Sequence, residues 1–117
     1  MQHHREFARE WVGAWNSRDL ERILAHYDEG VVLSSPRARD LFGKSDGMVH
    51  GKGELKKYFG FALTRMPDLH FTLDEVYSGV GSLVLEYHTK DGRHAAEFMA
   101  FGKNGMVSQV IAHYTSP

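Results

Sequence analysis

At Leu69 the spacing of apolar residues in this chain changes, and that change restricts the fold more than any other feature. Upstream, apolar side chains recur at the helical interval of about 3.6 residues; downstream they alternate with the strand period of about 2. Leu69, Phe71 and Leu73 alternate with His70, Thr72 and Asp74. Beyond the Gly79-Val-Gly81 turn, Leu83, Leu85 and Tyr87 share one face of the run Ser82 to Lys90. Asp91-Gly92 is a two-residue hairpin signal. It leads into Arg93 to Phe101, a four-residue turn Gly102 to Gly105, and Met106 to Tyr114. The second half is therefore an antiparallel meander.

The first half reads as three helices around one short strand. Phe7, Trp11, Ala14 and Trp15 place a helix over Glu6 to Trp15, with two tryptophans on one face and Asn16-Ser17 as its stop. Asp19 caps a second helix whose Leu20, Ile23, Leu24 and Tyr27 follow the i, i+3, i+4, i+7 pattern, ended by Asp28-Glu29-Gly30. Val31 to Leu33 is a brief strand closed by Ser34-Ser35-Pro36. Residues 36–50 lack periodicity and read as a long loop, the kind that forms a lid or a mouth. Gly51-Lys-Gly53 starts a third helix with Leu55, Tyr58, Phe59, Ala62, Leu63 and Met66 on its apolar face, and Pro67-Asp68 ends it. The order α-α-β-α-β-β-β-β gives an α+β fold, a curved antiparallel sheet packed against three N-terminal helices, as one domain over residues 1–117.

Composition removes several function classes. Fourteen basic and fifteen acidic residues give a formal charge of −1, which offers no electrostatic case for nucleic acid. The absence of cysteine excludes disulfides and thiolate chemistry. No apolar run approaches the ~20 residues of a membrane span, and the first residues do not form a signal peptide, so the expected location is cytoplasmic with no membrane partner. The eight histidines show no H-x-x-x-H or other tight spacing, so no metal site is expected. Without a nucleotide fingerprint no cofactor is expected either. Gly51-Lys-Gly53 at a helix start is only a weak anion-binding signal.

The stretches Trp11-Val-Gly-Ala-Trp15-Asn-Ser-Arg-Asp19-Leu and Tyr27-Asp-Glu-Gly-Val-Val resemble the entry of the nuclear transport factor 2-like (NTF2-like) superfamily, and in particular its SnoaL-like branch. Ser35-Pro36, Gly51-Lys-Gly-Glu-Leu, Pro67-Asp-Leu and Ala112-His-Tyr114 extend the resemblance over nearly the whole chain. It implies a cone-shaped, often dimeric domain with a pocket between helices and sheet. Such domains include ketosteroid isomerase, polyketide cyclases, limonene epoxide hydrolase, scytalone dehydratase and members that only bind, so the fold alone does not give the chemistry. Laid on the isomerase, Trp11 falls at its oxyanion-holding tyrosine, Ser35 at its catalytic aspartate and Glu97 at its protonated aspartate. Indole has no ionisable phenol and serine is no base near neutrality, so the isomerase mechanism does not carry over.

Glu97 is the residue of most interest, because it interrupts an otherwise apolar run. A carboxylate there either faces solvent or a partner on a neighbouring strand, or faces a cavity built to hold it. In the second case Ala95, Met99 and Phe101 share its side, with Leu83, Leu85 and Tyr87 beside them on the next strand. Its pKa would then rise above the ordinary ~4.3. It would act as a lone acid, since Glu86 and Asp74 point to the opposite face. The expected ligand is a compact, mostly apolar molecule, contacted by Trp11, Trp15, Tyr27, Ser35, His50, Tyr58, Leu83, Leu85, Tyr87, Met99 and Tyr114. Glu97 is the candidate acid–base group of an isomerisation, cyclisation or dehydration; the alternative is a module that binds or dimerises without catalysis. Both parities of the last two strands are apolar, with Phe98 and Ala100 opposing Met99 and Phe101, and Val107 and Ile111 opposing Val110 and Ala112, which points to a homodimer through the outer sheet face. By the same parity Tyr114 faces in and His113 faces out.

Overall fold

The computed structural model describes residues 2–116. The helices are α1 (Gln2–Ser17), α2 (Leu20–Leu24), α3 (Pro36–Leu41) and α4 (Gly51–Arg65). The strands are β1 (Tyr27–Ser34), β2 (Met48–His50), β3 (Phe71–Ser78), β4 (Ser82–Thr89), β5 (His94–Phe101) and β6 (Val107–Tyr114). They form one sheet in the order β2-β1-β6-β5-β4-β3. All neighbours run antiparallel except β1 and β6, which are parallel. α1 packs across β3 and α4 across β1, and the pocket lies between these two helices and the sheet. No helix is long and apolar enough to cross a membrane among the described residues.

The periodicities explain most of this. The inward stripe of α1 buries Ala8, Trp11, Val12, Ala14 and Trp15, and the alternation of β4 buries Leu83, Leu85 and Tyr87. The two hairpin turns after β4 and β5 carry Gly92 and Gly105 at φ 84° and 77°, where a side chain would strain the backbone.

Three readings are corrected. Tyr27 does not extend the second helix. α2 stops at Leu24, and Tyr27 opens a long strand whose pairing with β6 slips between Tyr27 and Val32. The residues Asp28-Glu29-Gly30 sit in that irregular stretch, where neither period is visible. The supposed loop 36–50 holds α3 and β2. The Ser35 hydroxyl accepts from the Arg37 N–H at 3.1 Å and Pro36 occupies the first turn, a cap-and-proline start that outweighs the missing periodicity of so short a helix. Finally, Val107 is fully buried instead of lying on the outer face with Ile111. An irregularity between β5 and β6 pairs Phe101 with Val107 but Ala100 with Gln109, which reverses the parity beyond it.

Asn16 does more than stop a helix. Its side-chain amide donates to the Phe71 carbonyl at 2.9 Å and its oxygen accepts the Phe71 N–H at 2.8 Å, so it pairs the start of edge strand β3 with α1. Asn16→Ala leaves both backbone groups without partners. We expect a loss of roughly 2 kcal/mol, measured by chemical denaturation.

Candidate functional site

Strand pairing fixes Glu97 before any side chain is considered. It lies between Leu85 on β4 and Ala112 on β6, in the middle of the helix-covered face. Its side chain is 6% exposed, and the Tyr87 hydroxyl donates to Oε2 at 2.6 Å. Burial raises the carboxyl to about 7, against the opposing effects of the Tyr87 hydrogen bond and the positive charge of Arg37. Burial, and then the Glu97 charge, raise Tyr27, Tyr87 and Tyr114 well beyond neutrality; burial also raises Tyr58. All four phenols are therefore protonated donors at neutral pH.

The cavity beside Glu97 admits water to about 70 Å³, within an envelope of about 780 Å³ that runs out to the open mouth. One wall is aromatic: Phe71 lies 4.2 Å from Tyr87 and 5.7 Å from Trp11 between ring centroids. Trp11 and Trp15 line this wall, and Tyr58, Ser35 and Tyr114 face it from the other side. The Trp15 indole nitrogen is buried without a hydrogen-bond partner. Ser35 is occupied in capping α3, and Trp11 donates its indole N–H to the Tyr27 hydroxyl at 2.8 Å.

Of the residues picked from the sequence, Glu97, Trp11, Trp15, Ser35, Tyr58, Tyr87 and Tyr114 line the cavity together. Tyr27, Leu83, Leu85 and Met99 do not. They are buried to 1% exposure or less and form the packing behind the wall, because facing inward on a covered sheet is not the same as reaching a cavity. His50 is also outside it. It is exposed, at the cap position of α4, so it does not overhang the mouth. The start of α4 is already engaged by its own Glu54, which accepts the His50 N–H at 2.9 Å and pairs with Lys44 at 3.0 Å; this removes the reading of Gly51-Lys-Gly53 as an anion site. Tyr114 faces inward and His113 outward.

Three arginines at the mouth were missed. Arg37 holds its guanidinium 4.6 Å from the centre of the Tyr114 ring, and its Nη1 donates to the Met66 sulfur at 3.7 Å. Arg65 lies 5.4 Å over Phe61, and Arg93 enters from the turn before β5. None of the three forms an ion pair among the described residues. The sequence signal for Arg37 is the Ser35-Pro36 helix start, which places it in the first turn of a helix.

Comparison with known proteins agrees with this geometry. Residues 8–115 match the family described as SnoaL-like domain. A SnoaL-like protein of unknown function from Burkholderia thailandensis is 38% identical, with 97% of this chain and 94% of that chain covered at a TM-score of 0.91. The chain belongs to the SnoaL-like family. An NTF2-like protein of unknown function from Burkholderia pseudomallei is 20% identical, covering 98% and 92% of the two chains at a TM-score of 0.78. TerC, co-crystallized with polyporic acid, is 14% identical over 96% and 91% at a TM-score of 0.76. These last two share the fold. No curated protein matches the chain.

A carboxyl that titrates near neutrality gives and takes protons at working pH. It also makes stability depend on pH with a definite sign. The folded chain holds the Glu97 proton more tightly than the unfolded chain, so stability is greatest at low pH on this account. It falls as pH climbs from the unfolded value of ~4.3 through the folded value of about 7. Glu97→Gln removes that slope. Above neutrality the variant is expected to exceed the parent by roughly 3–4 kcal/mol, read from denaturation curves across the window.

Proposed function

We propose that the protein binds a compact, mostly apolar molecule carrying one anionic group, with its apolar body against the aromatic wall and its charge towards Arg37. The observation that carries this reading is the pairing of an apolar cavity with three arginines at its mouth that have no carboxylate of their own among the described residues. A half-buried guanidinium is costly without an anion, and Arg is well suited to a carboxylate or enolate. The restricted inner volume fits a flat or small body. Glu97 is the group that would move a proton in an isomerisation, cyclisation or dehydration, with Tyr87 holding it in place. Binding without catalysis is the second reading, favoured by Trp11 and Ser35 being committed to structural hydrogen bonds.

Calorimetric titration with cinnamate and cinnamyl alcohol, which share a body and differ in charge, tests the ligand class. Cinnamate is expected to bind about tenfold more tightly, a difference of about 1.4 kcal/mol. Arg37→Met should abolish the difference and leave the alcohol unaffected. Equal affinities for acid and alcohol would remove the anionic part of the reading, and binding of neither would remove the pocket.

We also propose a homodimer through the outer sheet face, where Val84, Phe98 and Ile111 lie side by side across three strands and are only partly covered. Sedimentation should give twice the chain mass at micromolar concentration. Phe98→Asp should give the chain mass, and a monomeric parent would rule the dimer out.

A further inference from the structure

On the sheet face opposite the pocket, three ligand-type side chains from three adjacent strands meet. His88 and His94 are direct cross-strand partners on β4 and β5. Asp74 comes from edge strand β3, at the irregularity where Leu73 pairs with Tyr87 but Glu75 with Glu86. That extra residue turns Asp74 towards the two imidazoles. His88 Nδ1 lies 2.9 Å and 3.0 Å from the two Asp74 oxygens, and His94 Nδ1 lies 3.8 Å from Oδ2. One ligand atom from each of the three residues lies within 4.8 Å of the others. The linear spacing hid this grouping, because the residues are joined by strand pairing and not by a short motif.

We propose that Asp74, His88 and His94 bind a divalent transition-metal ion of the zinc class. In a tetrahedral zinc site with bonds of roughly 2.0–2.2 Å, neighbouring ligand atoms stand about 3.4 Å apart. The separations from Asp74 to the two imidazoles, 2.9 and 3.8 Å, bracket that value, and the two imidazole ligand atoms lie within 4.8 Å of each other, so side-chain rotations can close the set. Two imidazoles and one carboxylate favour zinc, cobalt, nickel or copper over magnesium and calcium, which prefer all-oxygen shells. Asp74 makes no ion pair with lysine or arginine among the described residues, so its charge is available to a cation. The three side chains are 34%, 36% and 65% exposed, which leaves room for water or a further ligand in the remaining position. All three stand on paired strands, so little backbone order is lost on binding. The ion would fasten the edge strand β3 to β4 and β5.

The test is calorimetric titration of the chelator-stripped chain with zinc chloride, followed by thermal unfolding with and without zinc. The expected result is one ion per chain and a higher unfolding midpoint in zinc, reversed by chelator. His94→Ala and Asp74→Asn, each at an exposed side chain, should weaken binding at least about tenfold and abolish the midpoint rise. A chain with His3 and His4 replaced by alanine should bind as the parent does, which separates this site from the N-terminal histidine pair. The proposal is overturned if zinc does not bind at micromolar concentration. It is equally overturned if binding survives Asp74→Asn and His94→Ala, or disappears with His3 and His4.

Discussion

The pocket depends on the contact between the Tyr87 hydroxyl and the Glu97 carboxyl. Burying an ionised carboxylate at this depth costs several kcal/mol. The chain answers in two ways. Tyr87 supplies a short hydrogen bond from the adjacent strand, and the raised pKa lets the carboxyl hold its proton near neutrality. On the inner face of β4 and β5 the pair is surrounded by Leu83, Leu85, Ala95 and Met99, with the polar Thr89 at the end of β4. The packing that secures the fold is thus also what sets the carboxyl's chemistry.

The arginines complete that arrangement electrostatically. Arg37 lowers the cost of ionising Glu97 at a distance without forming an ion pair with it, and it stacks on Tyr114 at the mouth. Apolar interior and cationic rim therefore divide the site into two chemically distinct halves. Family membership is silent on that division, because one fold hosts many chemistries.

Much of the fold was legible because its signals are periodic. The tryptophan stripe of α1, the alternation of β4 and the Asp91-Gly92 turn each repeat or occupy a fixed offset. Tyr27 and Val107 misled because strand irregularities shift parity without leaving a pattern in the chain. Glu97 was legible as a carboxyl out of place among apolar neighbours. Arg37 was not, since α3 has six residues and cannot display a helical period. Leu83, Leu85 and Met99 show the opposite limit: parity says which face a side chain takes, and only three-dimensional packing says whether space remains in front of it.

The parallel pairing of β1 with β6 bears on how the molecule assembles. Strands β3 to β6 pair with their immediate successors through short turns, so the meander can form from local contacts. β1 pairs on one side with nearby β2, but its other partner lies at the far end of the sequence, Ser34 beside Ile111. Joining such distant segments incurs the largest loop-closure entropy, so pairings of this kind are slow. That same step brings Ser35 and Arg37 up against Tyr114 and Glu97. The binding site is therefore closed by the least local contact in the sheet, and folding speed and site formation share one bottleneck.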